Sequence, residues 1–434
     1  MSLAHPKRRR MRLIGTATAV LLALAVPTAS ALPSQTVSGR PGTTAIADSA
    51  HRANLDPSAL SGTLKAFHDA GMYGAYSAVR DGSAEWQGAA GVADVDTGRP
   101  ATPLMRHRIG SITKTFTAVA VLQEVGKGRI DLDAPIGRYL PDLLPGERGR
   151  AITVRMLLNH TSGIGDYGTA IFATPESLED NRFHQFAPVE LARLGLKAAP
   201  LGNPGAEHHY ANTNYVIAGL LLQKVTGEAP EKYITTHVIR RAGLTHTYFP
   251  SSPYITGPHA KMYEAGYGGF NPPRDFSVYN MSWAGTAGSL VSTMPDLNRF
   301  YRLLLSGGLL APAQLQQMKT TVPIEGSMAR YGLGLFMTKT PCGEFWGHNG
   351  LVLGAMTWSL SSPDGQRQIS LGFNLTRYQK LNGNNTPEPS PIDAAMDVHV
   401  AQALCGTDGI PRPVEQGALP LPATHQDLPP SAHR

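Results

Sequence analysis

Ser111 and Lys114 stand three residues apart in Gly110-Ser111-Ile112-Thr113-Lys114, just ahead of the apolar run Phe116 to Leu122. Nowhere else in the chain does a Lys follow a Ser by three residues. Residues three apart share one helix face, so the spacing predicts the amine stacked one turn from the hydroxyl. A serine hydroxyl becomes a useful nucleophile when a base takes its proton. A lysine can be that base when neutral, and because free lysine titrates near ~10.4 the site must lower it by burial or nearby positive charge. A helix N-terminus at Ser111 would add free N–H groups and partial positive charge beside the nucleophile.

Acyl transfer by such a pair needs a proton shuttle, donors for the oxyanion and groups that orient the substrate. Tyr210-Ala211-Asn212 lies just before a helical stretch. Its phenol can pass a proton, and its amide can hold both a lysine and a substrate carbonyl. Trp346-Gly347-His348-Asn349-Gly350-Leu351 reads as a strand whose glycines let a ligand backbone approach closely.

The elements that must position these groups follow from periodicity and punctuation. Pro57 starts a helix with Leu60, Leu64 and Phe67 on one face. Residues 74–79 and 84–92 read as paired strands around Asp81-Gly82. The Ser111 helix is apolar nearly all round, which predicts burial between layers. Further helices are predicted over 153–159 and 214–226, the second stopped by Gly227. Thr293-Met294-Pro295-Asp296 resembles a capping box opening a helix to Ser306. Strands return at 331–337, 345–348, 355–360 and 369–374, and residues 392–404 form a last helix. Strands at both ends with helices between predict an α/β (α+β) fold. One antiparallel sheet is built from the two ends and flanked by helices, with a mostly helical region inserted in the middle.

The chain has 434 residues, 42% of them hydrophobic and 16% charged, enough apolar material for a sizeable core. Lys7 to Arg10 and Arg12, the apolar stretch Leu13 to Val26 and Ala29-Ser30-Ala31 read as a signal peptide over 1–31. The alternative, an N-terminal membrane anchor, has a short apolar run for a span. Removing that segment's five basic residues takes the formal charge from +6 to +1. The basicity therefore gives no support for nucleic-acid binding. Secretion follows as the expected localisation, with no membrane span after signal removal. Residues 32–52 read as a flexible lead-in, 53–406 as the folded domain and 407–434 as a Pro-rich disordered tail. An exported chain with two cysteines, Cys342 and Cys405, is expected to bond them, two buried free thiols being the alternative.

Taken together, the motifs resemble the serine β-lactamase and penicillin-binding protein superfamily, in its class C-like branch. The chain is most similar to soluble, secreted D-alanyl-D-alanine carboxypeptidase/transpeptidases of actinomycete type. The resemblance runs from about Leu55 to Cys405. It includes Arg108-Ile109-Gly110-Ser111, Leu140 to Pro145, Tyr210 to Asn214, Tyr331-Gly332-Leu333-Gly334-Leu335, and Cys342-Gly343 with Cys405-Gly406. It implies a β-lactamase/DD-peptidase-like fold and an acyl-enzyme mechanism without metal or cofactor. Ser111 would be the nucleophile, Lys114 the acylation base and Tyr210 the proton donor. Asn212 would hold the substrate amide, and His348 would support the tyrosine. The N–H groups of Ser111 and Leu351 would form the oxyanion hole, and Phe172 and Trp283 would be pocket aromatics. Peptidoglycan stem peptides or small amides and esters are the implied substrates, with β-lactams as inhibitors.

Three positions depart from that pattern. Phe336 stands where the carboxypeptidase has an arginine, and Asn349 and Leu351 stand where it has two threonines. One cation and two hydroxyls that serve a substrate carboxylate are missing together. The alternatives are therefore an esterase, a D-amino-acid amidase or aminopeptidase, or a β-lactamase on the same scaffold, and lastly a non-catalytic binder. Asp96-Thr97-Gly98 reads as a turn and His208-His209 as a solvated loop. No Gly-x-Ser-x-Gly elbow or phosphate-binding glycine loop is present.

Overall fold

A computed structural model describes residues 55–384 and 386–406. The segments read as signal peptide, lead-in and Pro-rich tail lie outside the described residues. Nine strands form one antiparallel sheet. In chain order they are β1 (Gly74–Asp81), β2 (Ala84–Asp94), β3 (Arg99–Pro100), β4 (Val322–Pro323), β5 (Arg330–Tyr331), β6 (Phe336–Thr340), β7 (Gly343–Val352), β8 (Ala355–Ser361) and β9 (Arg367–Phe373). Their spatial order is β3-β2-β1-β9-β8-β7-β6-β5-β4. The first strand thus pairs with the last, Ala75 opposite Phe373 and Asp81 opposite Arg367.

Helices cover both faces. On one side lie α1 (Pro57–Asp69) and the C-terminal helix α5 (Pro391–Cys405), which bury Leu60, Leu64, Phe67, Met396 and Val400 against Val79, Ile369 and Leu371. The other face carries the larger core, with α2 (Thr113–Gly126) at its centre and α3 (Asn212–Thr226) and α4 (Met294–Leu305) beside it. Every residue of α2 from Thr113 to Leu122 is buried, as its all-round apolar sequence predicts. Among the described residues no helix is long and apolar enough to cross a membrane.

A disulfide joins Cys342, in the turn between β6 and β7, to Cys405 at the end of α5, with Cα atoms 5.4 Å apart. It ties the last helix to the strand that carries His348. Closing a loop of 63 residues stabilises the fold by about 4 kcal/mol in the chain-entropy model.

Several element boundaries differ from the sequence expectation, each for a tertiary reason. The strand expected over 331–337 is broken into β5 and β6, because Gly334 turns inward and its carbonyl accepts from Thr115 Oγ1 of α2 at 2.6 Å. The strand expected over 345–348 runs on to Val352, since β8 continues to pair with it through Gly350 and Leu351. The third helix begins at Asn212, not Asn214, because the Asp166 carboxylate accepts from the Asn212 N–H. At α4 the Thr293 side chain caps Asp296 N at 3.4 Å, but the Asp296 carboxylate does not complete the box. It accepts instead from His246 N and Thr247 Oγ1.

Candidate active site

The turn that presents Ser111 is fixed from three sides. His107–Arg108 pairs with Val291–Ser292, and Ile109 N donates to Leu290 O at 3.0 Å. Arg108 is completely buried and donates to the carbonyls of Pro253, Ser277 and Tyr279. Thr113 Oγ1 donates to Gly110 O and accepts from Leu290 N. Gly110 adopts φ 51°, a left-handed value that glycine reaches without strain. A Cβ there would also meet Leu351 N at 2.7 Å, and a Cβ on Gly350 would meet Ser111 N at 2.7 Å. The two glycines therefore let the nucleophile turn and β7 touch backbone to backbone. This brings the N–H groups of Ser111 and Leu351 to one place, as an oxyanion hole requires.

Lys114 lies one turn on and is fully buried. Its Nζ donates to Ser111 Oγ at 2.8 Å, Asn212 Oδ1 at 2.7 Å and Ala287 O at 2.9 Å. The same nitrogen sits 4.7 Å from the centre of the Tyr210 ring. Residues far apart in sequence, 111, 114, 210, 212 and 287, thus meet around one amine. Asn212 is held there because it opens α3 on the Asp166 carboxylate, whose other oxygen accepts from Gly168 N at 2.6 Å.

His348 is buried on β7, its ring centre 6.5 Å from that of Tyr210. Its Nε2 accepts from Tyr331 OH at 2.8 Å while Nδ1 donates to the Asn349 carbonyl. Burial, then the Lys114 charge, push its pKa down to about 3, so the ring is neutral. The residue stacked on Tyr210 is His160, with ring centres 4.2 Å apart. Its Nδ1 accepts from Ala211 N and Asn214 Nδ2. Two donors on Nδ1 leave the proton of the neutral ring on Nε2. Burial above all holds its pKa well below the ordinary histidine value.

The sequence reading missed His160, Asp166 and Tyr331 as parts of this site. His160 lies in Asn159-His160-Thr161-Ser162-Gly163, at the end of a short helix, with φ 61°. A polar run after a helix carries no motif by itself, and only the fold stacks it on Tyr210. The reading of His208-His209 as a solvated loop needs correction at His208. That ring packs 5.1 Å from Tyr331 and 5.7 Å from His160, and burial pushes its pKa down to about 4. Asp96-Thr97-Gly98 lies in a turn. Among the described residues no group of His, Cys, Asp or Glu could hold a metal ion.

The aromatics Phe172 and Trp283 meet edge to face, 4.9 Å apart and both buried. Trp283 lies four residues before Ala287, whose carbonyl binds Lys114, and its own carbonyl accepts from Tyr167 OH at 2.6 Å. Along β7, pairing with β6 ends at Phe336 opposite Gly347, so the backbone from His348 to Leu351 has one edge without a β6 partner. Phe336 is only 1% exposed and packs near His348 and Trp358, its ring centre 5.7 and 6.4 Å from theirs. Leu351 belongs to the same apolar cluster, while Asn349 is half-buried.

The Beta-lactamase family profile matches residues 60–384. A Bacillus subtilis (strain 168) protein named as penicillin-binding protein PbpX is 27% identical over 319 residues, 73% of this chain and 74% of that protein. The structure of a D-stereospecific amidohydrolase from Streptomyces sp. superposes with a TM-score of 0.71 at 35% identity, covering 81% of this chain and 100% of that one. The D-amino acid amidase of Ochrobactrum anthropi SV3 superposes with a TM-score of 0.67 at 25% identity, covering 73% of this chain and 91% of that one. A serine-lysine centre on this sheet, matched along three quarters of its length, makes the chain a serine hydrolase of β-lactamase fold that belongs to the Beta-lactamase family.

Proposed function

We propose that the protein is an exported amidohydrolase that cleaves amides or short peptides of D-amino acids through an acyl-enzyme on Ser111. The observation that carries this reading is the Lys114 amine, 2.8 Å from Ser111 Oγ and 2.7 Å from Asn212 Oδ1. As a base Lys114 is neutral: its two protons stay on Asn212 Oδ1 and Ala287 O, and its lone pair takes the Ser111 proton as Oγ attacks the carbonyl carbon. The N–H groups of Ser111 and Leu351 hold the oxyanion. Tyr210 hands a proton to the departing amine, the C–N bond breaks, and water then hydrolyses the ester to release the acid. Asn212 and the open edge of β7 align the substrate backbone, while Phe172 and Trp283 form an aromatic wall.

An amide leaving side fits better than a free carboxylate, because the cation and two hydroxyls that would meet a carboxylate are absent at Phe336, Asn349 and Leu351. The likeness to a D-stereospecific amidohydrolase and a D-amino acid amidase supports the D configuration. D-alanyl-D-alanine carboxypeptidase action on peptidoglycan stem peptides is the narrower alternative, with β-lactams as acylating inhibitors. Parallel kcat/KM values test the proposal, on D-phenylalanine amide, its L isomer, an acyl-D-Ala-D-Ala peptide and a short-chain ester. The D-amide is expected to lead. An L preference, or an ester turned over far better than the amide, would overturn it.

A further inference from the structure

A second pocket lies away from Ser111, between strands β1 and β2 and the helix α4. It holds about 210 Å³ and is lined by Arg80, Glu85, Gln87, Asp296, Arg299 and Arg302, among others. It shares no lining residue with the Ser111 site.

Three guanidinium groups meet two carboxylates here, and both carboxylates are already engaged. Asp296 Oδ2 accepts from His246 N at 2.9 Å and Thr247 Oγ1 at 2.8 Å. Glu85 pairs with Arg80 through NH1. Arg299 turns its Nε to the Ala242 carbonyl at 2.7 Å. The Nε atoms of Arg80 and Arg302 are both buried and have no hydrogen-bond partner among the described residues. A buried N–H without an acceptor is costly, and most such groups in folded proteins are satisfied by protein, water or ligand. Burial, then the charges of Arg80 and Arg299, also lower the pKa of Arg302. The pocket is therefore lined by three guanidinium groups that repel one another, and two of them carry a buried N–H without an acceptor. An oxyanion relieves both, since its oxygens accept from guanidinium N–H groups in short, charge-assisted bonds.

We infer that this pocket binds the oxyanion group of a small ligand, a carboxylate or a phosphate, between Arg80 and Arg302. Nuclear magnetic resonance of the arginine Nε–H groups in the full chain tests it directly, with inorganic phosphate and succinate as probes at constant ionic strength set by sodium chloride. Two Nε–H resonances should shift saturably with one probe or both, and the tighter probe distinguishes a phosphate-bearing ligand from a carboxylate-bearing one. Arg302→Gln should weaken that binding by about tenfold to a hundredfold, the loss expected for one charge-assisted contact. Turnover at Ser111 should stay unchanged, because Arg302 has no part in that centre. Absence of saturable shifts with both probes overturns the inference, as does equal binding by Arg302→Gln and wild type. If Arg302→Gln does not fold, the wild-type resonances decide the question alone.

Discussion

The two sides of the cleft are built on opposite principles. The nucleophile side is polar and tightly bonded: one lysine nitrogen donates to a hydroxyl, an amide and a carbonyl within 2.9 Å. The β7 side is a backbone edge that β6 leaves unpaired beyond Gly347, beside the buried rings of Phe336 and Trp358. The difference teaches that bond-breaking chemistry and substrate choice are separable here. The first depends on a few charge-assisted contacts that tolerate little change. The second depends on which side chains flank an edge that any extended backbone could join.

The sharpest way to break this comparison is to remove the base. Lys114→Ala should slow acylation by about two to four powers of ten, the usual worth of a positioned general base. A labelled penicillin should mark Ser111 in wild type, read by mass spectrometry of the adduct peptide. Label on another serine would dissolve the polar centre as described. Asn212→Ala should cost about one to two powers of ten in kcat/KM, as for one hydrogen bond to a charged group. Circular dichroism would separate this from any loss of fold.

The disulfide tests whether β7 depends on the helix behind it. Cys342→Ser with Cys405→Ser should lower stability by about 4 kcal/mol, measured by denaturant unfolding. An unchanged midpoint would show that the apolar layer suffices without the bond.

Acid should act on both sides at once. Burial pushes the pKa values of His107, His348 and His399 down to about 3, and that of His208 down to about 4. Unfolded histidine titrates near ~6.5, so below that pH the unfolded chain binds more protons than the folded one. Stability is therefore expected to fall as pH drops from about 6.5 towards 4, by roughly one kcal/mol per pH unit for each such histidine. A melting temperature that stays level across that range would contradict the neutral, buried imidazoles.

The smallest expected effect concerns the leaving side. Matched acyl-D-Ala-D-Ala and its C-terminal amide should differ by less than about tenfold in kcat/KM, since a charge-assisted contact worth one to two powers of ten is missing. A hundredfold preference for the free acid would place a carboxylate anchor elsewhere on this wall. Phe336→Arg is a poor repair, because at 1% exposure the new cation would be buried without a partner.

Much of this was legible in local spacing. The Ser111–Lys114 step, the faces of α1 and α5, and the strands at both ends follow from periods of about 3.6 and 2 residues. The glycines at 347 and 350 could be read as close-approach points for a ligand backbone, though not as the place where the Ser111 turn meets Gly350. The break between β5 and β6 was hidden, because Tyr331 to Met337 has strand chemistry and only α2 pulls Gly334 inward. His160 and Asp166 were equally hidden. A histidine on a loop and an aspartate beside a glycine match hundreds of harmless contexts until the chain brings Tyr210 and Asn212 to them.

By itself, then, the sequence determined the Ser111–Lys114 spacing and the strand and helix periods at the two ends of the chain, since each is a statement about residue types at short range; the missing carboxylate partners were legible only through the family resemblance. Tertiary structure alone decided which histidine faces Tyr210, which carboxylate opens α3 and which arginines crowd under α4. Those contacts join residues 46 to more than 200 positions apart. Their energies come from burial and hydrogen bonding between elements, which no local pattern in the chain encodes.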